Sequence, residues 1–425
     1  MLNLDVTTKQ HKGMNVHIVP TTKFKTITIT LKLKTPINRD IATRRALLSY
    51  VLDKATSKYP TAKQVRMKLD DLYGAVFGIA NGKKGPYHTL SFRMEIANEK
   101  FLTKQVSLLK DALNLLSEIL YNPYIEEGAF KPAIVTREKR TLRSNLKGII
   151  DNKVAYANMR LTDEMCKGEA HAIHTHGYEE DLEKITPAHL YDYYKDMLTN
   201  DIFDLYIVGD VKVDEVMDIV KETFTRQHNR EEAPIDIAHK EIEEVKEVTE
   251  RQQINQAKLH IGYRTNVTIF DQDFTALQVF NGLFGAFPNS KLFKNVREKH
   301  SLAYYTASRL GAYNGIMIVF SGIAPDDNEK AQAIIDEQVE AMKQGDFTDE
   351  EIAEMKTLLL SNMKEALDSA SAITEMLYNR HAANLEFNLN KSVERLEKVS
   401  RDEIITVAHK IEKDTIYVLT EEEVK

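Results

Sequence analysis

The chain has 425 residues, more than one hydrophobic core ordinarily holds, so at least two domains are expected. Its 43% apolar and 28% charged residues suit a globular protein, and a net charge of −7 gives no reason to expect nucleic acid or an anionic membrane as partner. The single cysteine, Cys166, excludes an internal disulfide framework and a cysteine-rich zinc site, and fits a reducing cytoplasm.

The N-terminal stretch MLNLDVTTKQHKGMNVHIVP has no apolar run of the kind a signal peptide needs. Residues Met14–Pro20 and Thr26–Lys34 alternate β-branched and polar side chains and predict strands. Asp40–Lys58 has helical apolar spacing at Leu47, Leu48, Val51 and Leu52. Gly74–Ala80 and Thr89–Ile96 predict two strands flanking the turn NGKKGP, and Phe101–Leu120 an amphipathic helix. Phe203–Gly209 closes the first half as a buried strand.

The second half repeats this order. Lys258–Tyr263 is strand-like, Asp271–Gly285 helical, Ala303–Leu310 and Gly315–Ile323 strand-like, Asn328–Lys343 an amphipathic helix, and Asp414–Leu419 a closing strand. The glycine-rich 311–325 stretch is too short to span a bilayer. Local sequence supports a tandem repeat: ITPAHLYDYYKDMLTNDIFDLYIVGD parallels VSRDEIITVAHKIEKDTIYVLTEE, each a Thr or Ser N-cap, a helix and a strand. Between the halves, 13 of the 26 residues from 226 to 251 are charged, which reads as a solvated linker. The expected organisation is a domain over 1–225, the linker over 226–251 and a second domain over 252–425. Strands interleaved with long helices predict an α+β class, each half a mixed, mainly antiparallel sheet with helices packed on one face.

Three motifs carry the chemistry. The first helix reads R-A-L-L-S-Y-V-L-D-K-A-T from Arg45 to Thr56, and a later helix contains V-T-R-E-K-R with Glu138. In the second half, F-G-A-F-P-N-S-K-L-F over 284–293 runs into V-R-E-K-H-S-L-A-Y-Y. With the tandem layout, these resemble the insulinase/pitrilysin/mitochondrial-processing-peptidase superfamily along essentially the whole chain. The resemblance implies two related domains facing a chamber. Active members carry H-x-x-E-H on the first helix, two histidines one turn apart binding Zn²⁺ and a glutamate activating the metal-bound water.

Aligned on that motif, this chain has Ala46, Ser49 and Tyr50 at the His, Glu and His positions, and Glu138 at the downstream glutamate. One carboxylate does not hold zinc tightly, so no metal is expected here, and Glu138 reads as an ordinary helix-surface carboxylate. Arg297 and Tyr304 match a pair that, in active members, reaches substrate carbonyls and the oxyanion of the tetrahedral intermediate across the chamber. Gly285, Ala286, Asn289 and Ser290 match a substrate-chamber loop. Without the resemblance, Arg297 would read as a solvated arginine and Tyr304 as a buried strand tyrosine. In two-subunit members the zinc motif and the arginine–tyrosine pair sit on different chains. The implied role is therefore a non-catalytic subunit, with a homologous H-x-x-E-H chain as zinc-bearing partner, or a second copy of itself, and a peptide as substrate. The other reading is a peptide-binding or assembly scaffold, since similar bacterial chains are associated by name with the aminopentanol modification of elongation factor P.

Other candidates are weaker. His171, His174 and His176 form H-A-I-H-T-H, whose spacing does not suit one helix or strand face; they read as surface-loop histidines, with an independent metal hydrolase as the remaining alternative. His409 opens H-K-I-E-K, but Lys413 stands where a second ligand is needed. There is no G-x-S-x-G and no P-loop, and acidic neighbours argue against a reactive Cys166.

Overall fold

The computed structural model describes residues 4–103, 106–228 and 240–422. The strands are β1 Thr7–His11, β2 Met14–Pro20, β3 Thr26–Pro36, β4 Val76–Lys84, β5 Tyr87–Ala97, β6 Ile125–Glu126, β7 Ala129–Phe130, β8 Ile202–Gly209, β9 Lys246–Gln252, β10 Ala257–Arg264, β11 Ala303–Gly311, β12 Ile316–Ile323 and β13 Glu412–Glu421. The first half builds a six-stranded sheet in the order β1-β2-β8-β3-β5-β4, the second a five-stranded sheet in the order β11-β12-β10-β13-β9, and β6 and β7 form a small ribbon. In each large sheet one pair is parallel, β2 with β8 and β9 with β13, and the others are antiparallel. This is the α+β architecture expected, with a helical layer on each sheet.

The repeat extends to topology. Reading β2-β8-β3-β5-β4 against β9-β13-β10-β12-β11, every strand of the second sheet has a counterpart in the first. β9 thus stands where β2 stands, inside the charged stretch read as linker. Four of its seven residues, KEVTERQ, are charged, and its burial runs exposed to half-buried because it is an edge strand. Edge position removes the apolar alternation that would have marked it. Of the stretch 226–251, residues 229–239 lie outside the described set.

Other elements differ in extent. The first helix runs Arg39–Val51, capped by Asn38, whose side chain accepts from the Asp40 amide. A separate helix, Ala62–Asp71, begins at a Thr61 cap. β4 continues through Asn81–Lys84, so the turn is confined to Gly85 and Pro86, with Gly85 at φ +55°.

Each sheet packs one face on its own helices. The first-half core includes Leu31, Leu33, Phe92, Leu113, Leu116 and Phe203, all fully buried. The second-half core includes Leu259, Ile261, Phe280, Phe284 and Met317. Each sheet's other face receives a helix from the opposite half. The Lys153–Met165 helix lies on β10 and β13, where Ala157 and Leu161 meet Ile318, Tyr417 and Leu419. The Ala370–His381 helix lies on β8 and β3, where Ile373, Leu377 and Tyr378 meet Val19, Tyr206 and Val208.

Polar clamps accompany both contacts. On β3, Lys32 is nearly buried, pairs with Glu375 and lies over the Tyr378 ring at 4.3 Å. On β10, Arg264 bonds Asp414 Oδ2 at 2.7 Å, Glu169 Oε1 at 2.7 Å and the Met165 carbonyl at 2.9 Å. Between β2 and the Ala370–His381 helix, His17 stacks on Tyr206 at 4.5 Å and on His381 at 4.2 Å.

Truncating Leu377 to Ala should destabilise the chain by about 2–5 kcal/mol, read as a lower urea midpoint, because it opens a cavity at a fully buried contact between halves. Burial, reinforced by nearby cations, also holds His171 and His260 down at about 3 and His381 at about 4. Unfolding restores ordinary affinity near 6.5, so between those values the unfolded chain binds more protons. Stability should therefore be retained above pH 6.5 and fall as the pH drops towards 4. Urea titrations at pH 7 and pH 5 should show the lower midpoint at pH 5.

Candidate functional site

The degenerate motif lies on the Arg39–Val51 helix, anchored from within. Arg45 is fully buried; its guanidinium pairs with Asp201 Oδ2 at 2.6 Å and donates to the Leu33 carbonyl at 2.8 Å and to the Tyr193 hydroxyl at 3.1 Å. That anchor fixes the rotation of the helix.

Ala46, the next residue, is fully buried. Ser49 donates its hydroxyl to the Ala46 carbonyl at 2.7 Å and accepts from the Asn81 amide of β4 at 3.2 Å. Tyr50 accepts from Asn145 Nδ2 at 2.9 Å. Asn145 belongs to the Pro132–Asp151 helix, which packs on the first helix.

Glu138, on the same second helix, is not a surface carboxylate. It is 4% exposed, because its helix face turns inward, and Arg137 Nε donates to it at 2.6 Å. Asp53 follows Ser49 by one turn; burial first, with the Glu138 charge adding to it, raises its carboxyl above the usual range, while Lys54 holds one oxygen at 2.9 Å. The spacing D-K after the helix gave no signal for this carboxylate.

These residues do not fit a zinc ion. Alanine offers no donor, the serine and tyrosine hydroxyls are engaged with neighbours, and Glu138 already faces a cation. Among the described residues, no group of three or more His, Cys, Asp or Glu side chains converges as ligands.

The second-half residues behave differently. Arg297 lies in a wide helical turn over Phe293–Lys299, exposed, its guanidinium 4.7 Å from the Phe293 ring. Tyr304 is 77% exposed, not buried as the strand pattern suggested. The reason is a bulge: the register of β11 on β12 shifts between Ala303 and Tyr305, and Tyr304 is the extra residue. The two side chains line one open cavity of about 530 Å3, whose other walls include Asn255, Gln256, Gly322 and Asp327. All of its walls belong to the second half, and none comes from the first helix or from Glu138.

Loop residues 285–290 are split. Gly285 is buried, and a Cβ there would meet Ser308 Oγ at 2.5 Å. Ser290 is 2% exposed and caps the following turn. Ala286 is exposed, and Asn289 is half-buried with its Oδ1 unpartnered. None of the four lines the Arg297–Tyr304 cavity.

The remaining candidates have structural partners. His171 is half-buried against the second half, its Nδ1 2.6 Å from Asn314 Nδ2, and so is not a free loop histidine. His174 pairs with Asp163 at 2.7 Å and stacks on Tyr178. His176 is exposed, so the three do not converge. Cys166 is fully buried, and burial, ahead of the Glu169 charge, pushes its thiol up to about 12.

The family described as "Peptidase M16 inactive domain" matches residues 184–359. A Bacillus subtilis protein named "Probable inactive metalloprotease YmfF" is 42% identical over 411 residues, 96% of each chain. The chain belongs to the M16 peptidase family, the insulinase superfamily. A crystal structure of a conserved protein from Enterococcus faecalis superposes with a TM-score of 0.92 at 33% identity, covering 99% of both chains. An M16 inactive domain from Pseudomonas fluorescens gives 0.82 at 16% identity over 100% of both chains, a likeness of fold. The B. subtilis relative is thus named for an inactive protein. No helix of the described residues is long and apolar enough to cross a membrane.

Proposed function

We propose that this M16 chain is the non-catalytic half of a peptidase pair. Its partner is a homologous chain with an intact H-x-x-E-H, which carries the zinc. This chain supplies Arg297 and Tyr304 to bound peptide. The observation that supports it is the contrast between the two halves. The first helix has hydroxyls and a methyl where ligands would stand, while Arg297 and Tyr304 are exposed in an open cavity with no ion pair or hydrogen bond among the described residues to hold them. Side chains kept for packing alone would have been covered or paired.

The chemistry asked of the pair is modest. Zinc and its activated water belong to the partner's residues. Arg297 donates to a substrate carbonyl, and the Tyr304 hydroxyl donates to the oxygen that gains negative charge as the tetrahedral intermediate forms. Such a donor is worth about 3–4 kcal/mol in the transition state. A peptide would lie extended along a sheet edge, its backbone bonded to a strand. β4 and β11 both end their sheets, and β4 alternates exposed and half-buried residues along its first half.

Co-expression with the H-x-x-E-H homologue tests this. Peptidase activity should appear only with both chains. Arg297→Ala or Tyr304→Phe here should lower kcat about 10²–10³-fold with the complex intact. Full activity of the Arg297→Ala pair, or peptide binding by the pair without any cleavage, would instead favour a scaffold role.

A further inference from the structure

A second cavity, of about 1110 Å3, opens between the two halves, away from Arg297 and Tyr304. Its floor is where two hairpins meet. Gly85, at the β4–β5 tip, sits so close to Tyr313 of the β11–β12 tip that a Cβ would come within 2.9 Å of the ring. The Tyr313 hydroxyl in turn donates to the Asn379 carbonyl at 2.5 Å.

One wall is the Ala370–His381 helix, which is two-sided. Ile373, Leu377 and Tyr378 face the first sheet, while Ala372, Met376 and Asn379 face the cleft at helical spacing. Opposite stand Phe274, Leu310, Met363 and Phe387, all half-buried. Amide side chains, Gln278, Asn362 and Asn388 among them, are set between the apolar ones, and Asn379 Oδ1 is buried without a partner.

The lining is cationic in a chain whose net charge is −7: five lysines and arginines against two glutamates. Three of the five are engaged. Lys83 donates to the carbonyls of His171 and Ile173, Lys391 pairs with Glu386 at 3.2 Å, and Arg395 pairs with Glu403 at 2.6 Å. Lys84 and Arg380 are not. Lys84 makes no hydrogen bond or ion pair among the described residues, and Glu375, the carboxylate whose charge it feels, is held by Lys32. Arg380 reaches one backbone carbonyl, that of Glu386, at 3.4 Å through Nε, leaving its Nη donors unused. Tyr313 is tied to both positions: Lys84 adjoins the glycine packed on its ring, and Arg380 follows the Asn379 whose carbonyl accepts from its hydroxyl.

The structure assigns this cleft as a binding site for the C-terminal end of an apolar peptide, its carboxylate held by Lys84 and Arg380. The Met–Phe wall takes the apolar side chains, and the interspersed amides pair with peptide N–H and C=O groups. A bare hydrocarbon chain fits less well, because it would desolvate those amides without replacing their hydrogen bonds. The assignment uses none of the residues of the proposed peptidase role, so either can fail alone.

The test uses the full chain and a fluorescein-labelled octapeptide pool ending in two apolar residues, made as free acid and as C-terminal amide. Fluorescence anisotropy should show saturable binding of the acid, with the amide at least about tenfold weaker. Lys84→Gln or Arg380→Gln should each weaken the acid about tenfold, to the level of the amide. Met376→Trp, which fills the cleft, should abolish binding, and Lys63→Gln, at an exposed lysine outside the cleft, should leave it unchanged. Equal binding of acid and amide, no saturable binding, displacement of the pool by equimolar palmitate, or unchanged affinity in the Lys84→Gln/Arg380→Gln double variant would each overturn the assignment.

Discussion

The packing of two helices on the sheet of the opposite half governs the rest of this molecule. The Lys153–Met165 helix covers β10 and β13, and the Ala370–His381 helix covers β8 and β3. A sheet left bare on that face would expose Val19, Val208, Ile318 and Leu419, each at most 5% exposed here. Burial of such side chains contributes about 25 cal/mol per Å2 and depends on the other half being present. The halves are therefore mutually dependent rather than beads on a linker. Each contact also carries a buried cation from a central strand, Lys32 or Arg264, with a carboxylate from the opposite half, Glu375 or Glu169. Breaking either pair would strand a buried charge, which costs more than the pair itself contributes.

That constraint fixes what the two motifs can do. With the halves locked, the first helix faces Asn81, Asn145 and Glu138 of its own half, and the Arg297–Tyr304 cavity is walled by the second half alone. Along the first helix these positions are ordinary interior: a methyl, a serine hydroxyl returned to its own helix backbone, and a tyrosine bonded to a neighbouring helix. The helix keeps its position through Arg45, whose pairing with Asp201 needs no metal.

The sequence disclosed the tandem repeat and the fold class, because strand alternation and helical spacing are local properties. It did not disclose what depends on edges and on contacts between halves. β9 is an edge strand whose charges removed the alternating pattern, so it read as linker. Strand periodicity alone reads Tyr304 as buried, and one extra residue in the ladder turns it outward. Glu138 was read as exposed, and the packing of two helices buried it. The amphipathic faces of the Lys153–Met165 and Ala370–His381 helices were visible in principle, but nothing in one chain's periodicity says which sheet a helix will cover. The cleft with Lys84 and Arg380 arises only from that choice.

The account stands on this chain being the metal-free member of a pair. Native mass spectrometry of the chain, alone and mixed with its H-x-x-E-H homologue, reads both stoichiometry and metal directly. The expected result is a one-to-one complex holding a single zinc, with this chain alone carrying none. Zinc bound at one per chain to this chain alone, or no complex at any mixing ratio, would contradict it.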